Sequence, residues 1–178
     1  SLTANGGAGG SSNPYGGGGG GGRIALRYTN GSTTSLTVQA YGGSGPGGAT
    51  AGGAGTIYTK SGSQTYGDVL IDNNGLSDGT SLSPLAADVA TVYFDDVSVV
   101  GAARSVAPNQ LFIYGDYDNA SVVDYSGNST TTLAGASAQI ATGTLSGLSA
   151  FASLTVSGEY TLKTNVEADN FPIEPGAT

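Results

Sequence analysis

The chain holds 178 residues in 17.3 kDa, 32 of them glycine, and only 10% of its residues are charged. Five basic residues face 13 acidic ones for a net charge of -8, and His, Cys, Met and Trp are absent. This composition excludes Ser–His–Asp and Cys–His nucleophiles, His/Cys zinc sites, thiolate clusters and disulfides. With an isoelectric point near 4.1, it also argues against a nucleic-acid partner, because polyphosphate needs a basic face.

Two regions divide the chain. Residues 1–67 carry most of the glycine and, of charged groups, only Arg23, Arg27 and Lys60, whereas all 13 acids lie in residues 68–178. The second region is rich in Val, Leu, Ser and Thr and is expected to continue the first. No run approaches the roughly 20 apolar residues of a membrane span. The chain opens at Ser1 without Met and reads as a processed segment, its signal peptide removed, begun near the end of a repeat.

Residues 16–22 are an unbroken glycine run after Pro14-Tyr15. A flexible linker is one reading. The other is an extended polyproline-II-like arm, whose N–H and C=O groups must find partners outside their own helix. Side-by-side arms satisfy one another, and only glycine permits the approach. On that reading Gly19→Val disrupts the arms; in a linker it does nothing. The run contains G-x-G-x-x-G trivially, but its glycines precede a strand and no helix follows, so a nucleotide site is rejected.

Alternation then predicts strands: Ile24, Leu26 and Tyr28 on one face against Arg23, Ala25 and Arg27 on the other, followed by Leu36, Val38 and Ala40. Residues 22–27 recur as residues 55–60 at an offset of 33. At the same offset Leu36-Thr37-Val38 falls on Val69-Leu70-Ile71, and Gly42 on Gly75. Leu2-Thr3-Ala4 resembles Leu36-Thr37-Val38 with one residue of slippage. Asn30-Gly31 and Asn74-Gly75 mark turns.

Further along, β-rich runs appear at residues 92–94, 97–100, 111–114, 121–123, 154–156 and 160–162. Centres near Ile71, Val92, Phe112 and Leu133 stand about 20 residues apart, near the length of one turn of a parallel β-solenoid. The fold expected is all-β, a parallel β-solenoid with Gly-rich extended arms, making a rod about 35 Å long at ~4.8 Å per turn. An antiparallel β-sandwich is the alternative. Residues 134–152 leave room for a short helix.

The ordered string formed by residues 20–28 (GGGRIALRY), 52–58 (GGAGTIY) and 66–75 (YGDVLIDNNG) resembles Gly-rich repeat segments of large bacterial secreted and cell-surface proteins. The resemblance covers about a third of the chain. It implies a β-helical, structural or adhesive segment outside the cell and supplies no catalytic residues.

Acids are the plausible reactive groups. Asp95 and Asp96 are adjacent, so on a strand they point to opposite faces. Asp116 and Asp118 are two apart and share a face; with Asp124 they offer loop oxygens for Ca²⁺, and Arg104 is the cation nearest to a pectinase-like Asp cluster. Asp-Tyr-Asp-Asn is also ordinary turn chemistry, and no calcium-loop motif is present. Tyr15, Tyr28, Tyr41, Tyr58 and Tyr66 border the Gly-rich stretches, either capping a thin core or stacking on sugars. Asn30, Asn119 and Asn128 open N-x-S/T triplets. Thr33-Thr34 and Thr130–Thr132 do not recur at a regular spacing as an ice-binding face requires. The expectation is therefore no catalytic residue, no cofactor and no metal. The chain reads as a non-enzymatic, extracellular or cell-surface structural or adhesive segment that associates with itself. The alternative is a glycan-binding or glycan-cleaving β-helix module, with surface glycans as partners.

Overall fold

The structure is a computed structural model that describes residues 1–33, 35–77, 81–85, 90–125 and 128–175. The chain is all-β with mostly parallel sheets. Its strands are β1 (Leu2–Thr3), β2 (Arg23–Tyr28), β3 (Val38–Gln39), β4 (Thr56–Ser61), β5 (Asp68–Asp72), β6 (Ser83–Pro84), β7 (Thr91–Phe94) and β8 (Val97–Val100). There follow β9 (Arg104–Val106), β10 (Gln110–Ile113), β11 (Tyr117–Asn119), β12 (Val122–Asp124), β13 (Thr130–Leu133), β14 (Gln139–Gly143), β15 (Ser153–Val156) and β16 (Tyr160–Leu162). The β-rich runs singled out above fall on these strands or within one residue of them.

From β5 to β14 the chain visits three parallel sheets in a fixed rotation, after which β15 and β16 fall in two of them. β5, β8, β11, β14 and β16 belong to a seven-stranded sheet; β6, β9 and β12 to a three-stranded one; β7, β10, β13 and β15 to a four-stranded one. Thr91, Gln110, Thr130 and Ser153 stand side by side in the last, so successive visits are 19, 20 and 23 residues apart. Each strand is two to five residues long and turns alternate side chains inward. Val97, Val99, Leu111, Ile113, Tyr117, Leu133, Leu154 and their neighbours thereby form one continuous core. The four-stranded register pairs Phe112 with Tyr93 and Thr132, whereas Ile71 lies in the seven-stranded sheet beside Val99. Val92, Phe112 and Leu133 therefore share a sheet that Ile71 does not.

An antiparallel sandwich is overturned by these registers. β4 and β5 run antiparallel, and every other strand pair among the described residues is parallel. The single reversal uses Gly67 at φ +96°, a left-handed conformation that glycine adopts without steric cost. It also switches the buried face. Tyr58 sits opposite Val69 and packs on the main core, while Ile57, paired with Leu70, joins Ile24, Ala40 and Leu26 in a second cluster. The offset of 33 between residues 22–27 and 55–60 is the parallel register of β2 on β4, Arg23 beside Thr56 and Arg27 beside Lys60. Leu36-Thr37-Val38 does not stack on Val69-Leu70-Ile71. Instead β3 pairs with β1, Leu2 beside Val38.

Glycine stretches complete the second cluster, ordered by one another. Gly16, Gly19 and Gly22 donate to the carbonyls of Gly10, Gly7 and Ala4; Gly18 and Gly21 donate to those of Thr50 and Gly53; Gly52 and Gly55 donate to those of Gly43 and Ala40. Bonds at every third residue are what a backbone with three residues per turn makes. A Cβ on Gly18, Gly21, Gly43 or Gly52 would overlap a carbonyl oxygen of the neighbouring stretch. At Gly19, the position favoured from sequence, the nearest atom lies 3.3 Å from such a Cβ. Within the run of residues 16–22 the tightest approach is therefore made one residue earlier, at Gly18.

Residues 134–152 hold β14 and one 3-10 turn at Gly147–Ser149 rather than an α-helix. After β16 the tail lies back on the preceding turn, with bridges from Leu145 to Val166, Phe151 to Ala168 and Val156 to Ile173. The apolar, proline-bearing tail thus covers the edge of β15 within its own chain.

Candidate functional site

Two columns of side chains stand on the outer surface. The first is acidic. Asp68, Asp96 and Asp116 occupy equivalent places beside Val69, Val97 and Tyr117 of three neighbouring strands. Each carboxylate accepts the backbone N–H at the same place one strand on: Asp96 N–H to Asp68 at 3.2 Å, Asp116 N–H to Asp96 at 2.7 Å and Ile140 N–H to Asp116 at 2.8 Å. Asp95 accepts the N–H groups of Tyr66 at 3.2 Å and Gly67 at 2.9 Å. Asp95 and Asp96 lie in the corner between β7 and β8 rather than within a strand, and they serve different backbones.

Asp116 and Asp118 flank buried Tyr117 on the outward side, whereas Asp124 belongs to β12 in another sheet. The three candidate calcium ligands thus come from two sheets. Among the described residues no group of three or more acids is placed to hold a metal ion. Arg104 lies on β9 beside Val122, and its buried Nε has no hydrogen-bond partner among the described residues.

Partial burial pushes the Asp96 carboxyl above the ordinary aspartate value, and the charges of Asp68, Asp116 and Asp95 add to this against the bond from Asp116 N–H. The folded chain therefore holds this proton more tightly than the unfolded chain does. Through this group, stability rises as pH falls from the raised value toward the ordinary one. Asp96→Asn keeps an oxygen for Asp116 N–H and removes the charge. Thermal melts of this variant should show a higher midpoint than the parent at neutral pH, with the difference shrinking on acidification. A difference that grows on acidification contradicts the assignment.

The second column is aromatic. Phe112 stacks on Tyr93 at 5.1 Å, Tyr93 on Tyr66 at 5.3 Å and Tyr66 on Tyr114 at 4.8 Å between ring centroids. Tyr58 donates its hydroxyl to the Tyr66 carbonyl, and Arg27 lies over the Tyr58 ring. Of the tyrosines singled out from sequence, Tyr58 and Tyr66 are drawn into this assembly. Tyr15 lies across Gly47, where a Cβ would meet its ring. Tyr117, Tyr125 and Tyr160 are core members. Burial pushes the Tyr117 and Tyr125 hydroxyls, which bond each other, well above the usual tyrosine range. Their inward alternation with Asp116 and Asp118 was the available signal for the first of them.

The four-stranded sheet shows its outer face as two ranks. One holds Thr91, Gln110, Thr130 and Ser153; the other holds Tyr93, Phe112, Thr132 and Thr155. Thr130 stands between Gln110 and Ser153, and Thr132 between Phe112 and Thr155, so threonine forms no regular rank on this face; Thr34 lies outside the described residues. Asn119 is fully buried and donates to the Thr144 carbonyl, so the Asn119 triplet is closed to glycosylation in the fold. No protein-family model, curated protein or solved structure matches the chain.

Proposed function

We propose that this chain is a segment of a β-solenoid carrying a bundle of polyproline-II-like glycine arms, and that it serves outside the cell as a non-enzymatic structural or adhesive element that associates with itself. Rotation of the strands through three parallel sheets supports the solenoid, and the engagement of Asp68, Asp95, Asp96 and Asp116 with backbone N–H groups supports a structural role for the acids.

One observation carries self-association. Gly16, Gly19 and Gly22 donate in one direction and Gly18 and Gly21 in a second, but the N–H groups of Gly17 and Gly20 engage nothing among the described residues. These two face a groove of ≈ 780 Å³ between residues 17–23, 50–56 and 81–84. A three-per-turn helix has a third side, and here no described residue bonds to it. A glycine arm of a second copy has the thin backbone and the periodic carbonyls to fill it. A Cβ on Gly20 meets nothing closer than 3.8 Å, so Gly20→Val should keep the monomer's melting temperature and still obstruct the groove. In sedimentation velocity the parent chain is expected to show concentration-dependent assembly, and the variant to stay monomeric. A parent that remains monomeric at millimolar concentration rules the reading out.

A further inference from the structure

We infer that the outer face of the four-stranded sheet is a binding site for a neutral oligosaccharide, centred on the step where the aromatic rank ends at Phe112. Tyr93 covers one side of the Phe112 ring. On the other side the rank continues as Thr132 and then Thr155, side chains too short to carry the stack on. No second ring covers Phe112 among the described residues. The result is a shelf about two strand spacings wide, each ~4.8 Å, walled by an aromatic face and floored by hydroxyls. A pyranose has both surfaces this step needs, a C–H face to lie against a ring and equatorial hydroxyls to meet donors and acceptors.

The groove beside the shelf has matching chemistry. Ala90, Asn109, Gln110, Asn128 and Thr130 line ≈ 590 Å³ at the start of the same strands. Asn109, Gln110 and Asn128 are exposed. Thr91 donates to Gln110 Oε1 at 2.7 Å, which leaves the Gln110 amide N–H groups outward. Among the described residues the side chains of Asn109, Asn128, Thr130, Thr132 and Thr155 make no hydrogen bond of their own. A carboxamide offers donor and acceptor together, the pattern that adjacent sugar hydroxyls complement. Among the described residues no charged side chain lines this groove, so a neutral glycan fits better than a sulfated or uronic one, which the acidic chain would also repel.

The test is an array of neutral and acidic oligosaccharides, followed by calorimetric titration of the strongest neutral binder into the parent chain, Thr132→Phe and Phe112→Ala. Thr132→Phe prolongs the aromatic rank onto the shelf without touching the core, and it should abolish binding while the circular dichroism and melting temperature hold. Phe112→Ala should weaken binding about tenfold, the loss of one ring–sugar contact. Absence of any neutral binder at millimolar ligand overturns the site, as does binding undiminished in Thr132→Phe or a preference for acidic glycans. Sedimentation of the same samples keeps the outcome separate from self-association, because Thr132 is remote in sequence from the glycine arms and neither result depends on the other.

Discussion

Gly18→Ala is expected to unravel the glycine bundle, lowering stability by about 3 kcal/mol. One methyl group at this position overlaps the Gly43 carbonyl and lies 2.9 Å from Gly52 N, so two stretches must separate to admit it. Overpacking of this kind costs about 1–3 kcal/mol. The separation also strains the bonds from Gly18 N–H to the Thr50 carbonyl at 3.0 Å and from Gly52 N–H to that of Gly43 at 2.9 Å, each worth about 1 kcal/mol net. Gly7→Ala is the matched control. Its Cβ meets nothing within 4 Å and its backbone is not left-handed, so the substitution should stabilise by about 0.5 kcal/mol through the unfolded chain alone. Urea melts of the two variants should therefore move in opposite directions. Equal, negligible shifts would mean that residues 16–22 behave as a linker.

How much of this was legible beforehand follows from the range over which each cause acts. The β2–β4 pairing was readable because a parallel register of similar motifs leaves its offset in the sequence, Gly22-Arg23-Ile24 answering Gly55-Thr56-Ile57. Short strands were readable because period-two alternation is local. Reversal at Gly67 was not, since one glycine among 32 carries no mark of the left-handed conformation it adopts. That reversal sent Val69-Leu70-Ile71 to β8 rather than to β3 and turned Ile24 and Ile57 to the opposite side of the sheet from Val69. The aromatic column was hidden for a related reason: Tyr66, Tyr93 and Tyr114 stand 27 and 21 residues apart, and only strand register brings the rings together. Asp116, Asp118 and Asp124 show the converse. Nearness in sequence implied a shared site, and the corner between β11 and β12 sends Asp124 to a different sheet.

Asn73 joins the two halves of the molecule, and its loss should cost about 3 kcal/mol or more. It follows β5 directly and is a fully buried polar side chain. Its Oδ1 accepts Gly42 N–H at 2.8 Å, and its Nδ2 donates to the carbonyls of Gly52 at 3.1 Å and Leu76 at 2.6 Å. One carboxamide thus holds two glycine stretches against the parallel sheets. Asn73→Ala leaves Gly42 N–H and the Gly52 carbonyl buried and unpaired, and each such group costs about 1–3 kcal/mol. Asn73→Asp separates this account from simple loss of volume. It keeps the shape and the acceptor for Gly42 N–H but removes both donors and buries a charge. The carboxylate would face two carbonyl oxygens, so its folded pKa should be raised and its damage should lessen as pH falls and a proton restores a donor. Asn73→Ala, with no titrating group, should show no such recovery. Melting curves of both variants between neutral and acidic pH decide the matter: parallel pH profiles would reduce Asn73 to a space-filling residue, and converging ones would establish it as the polar tie between the glycine arms and the sheet.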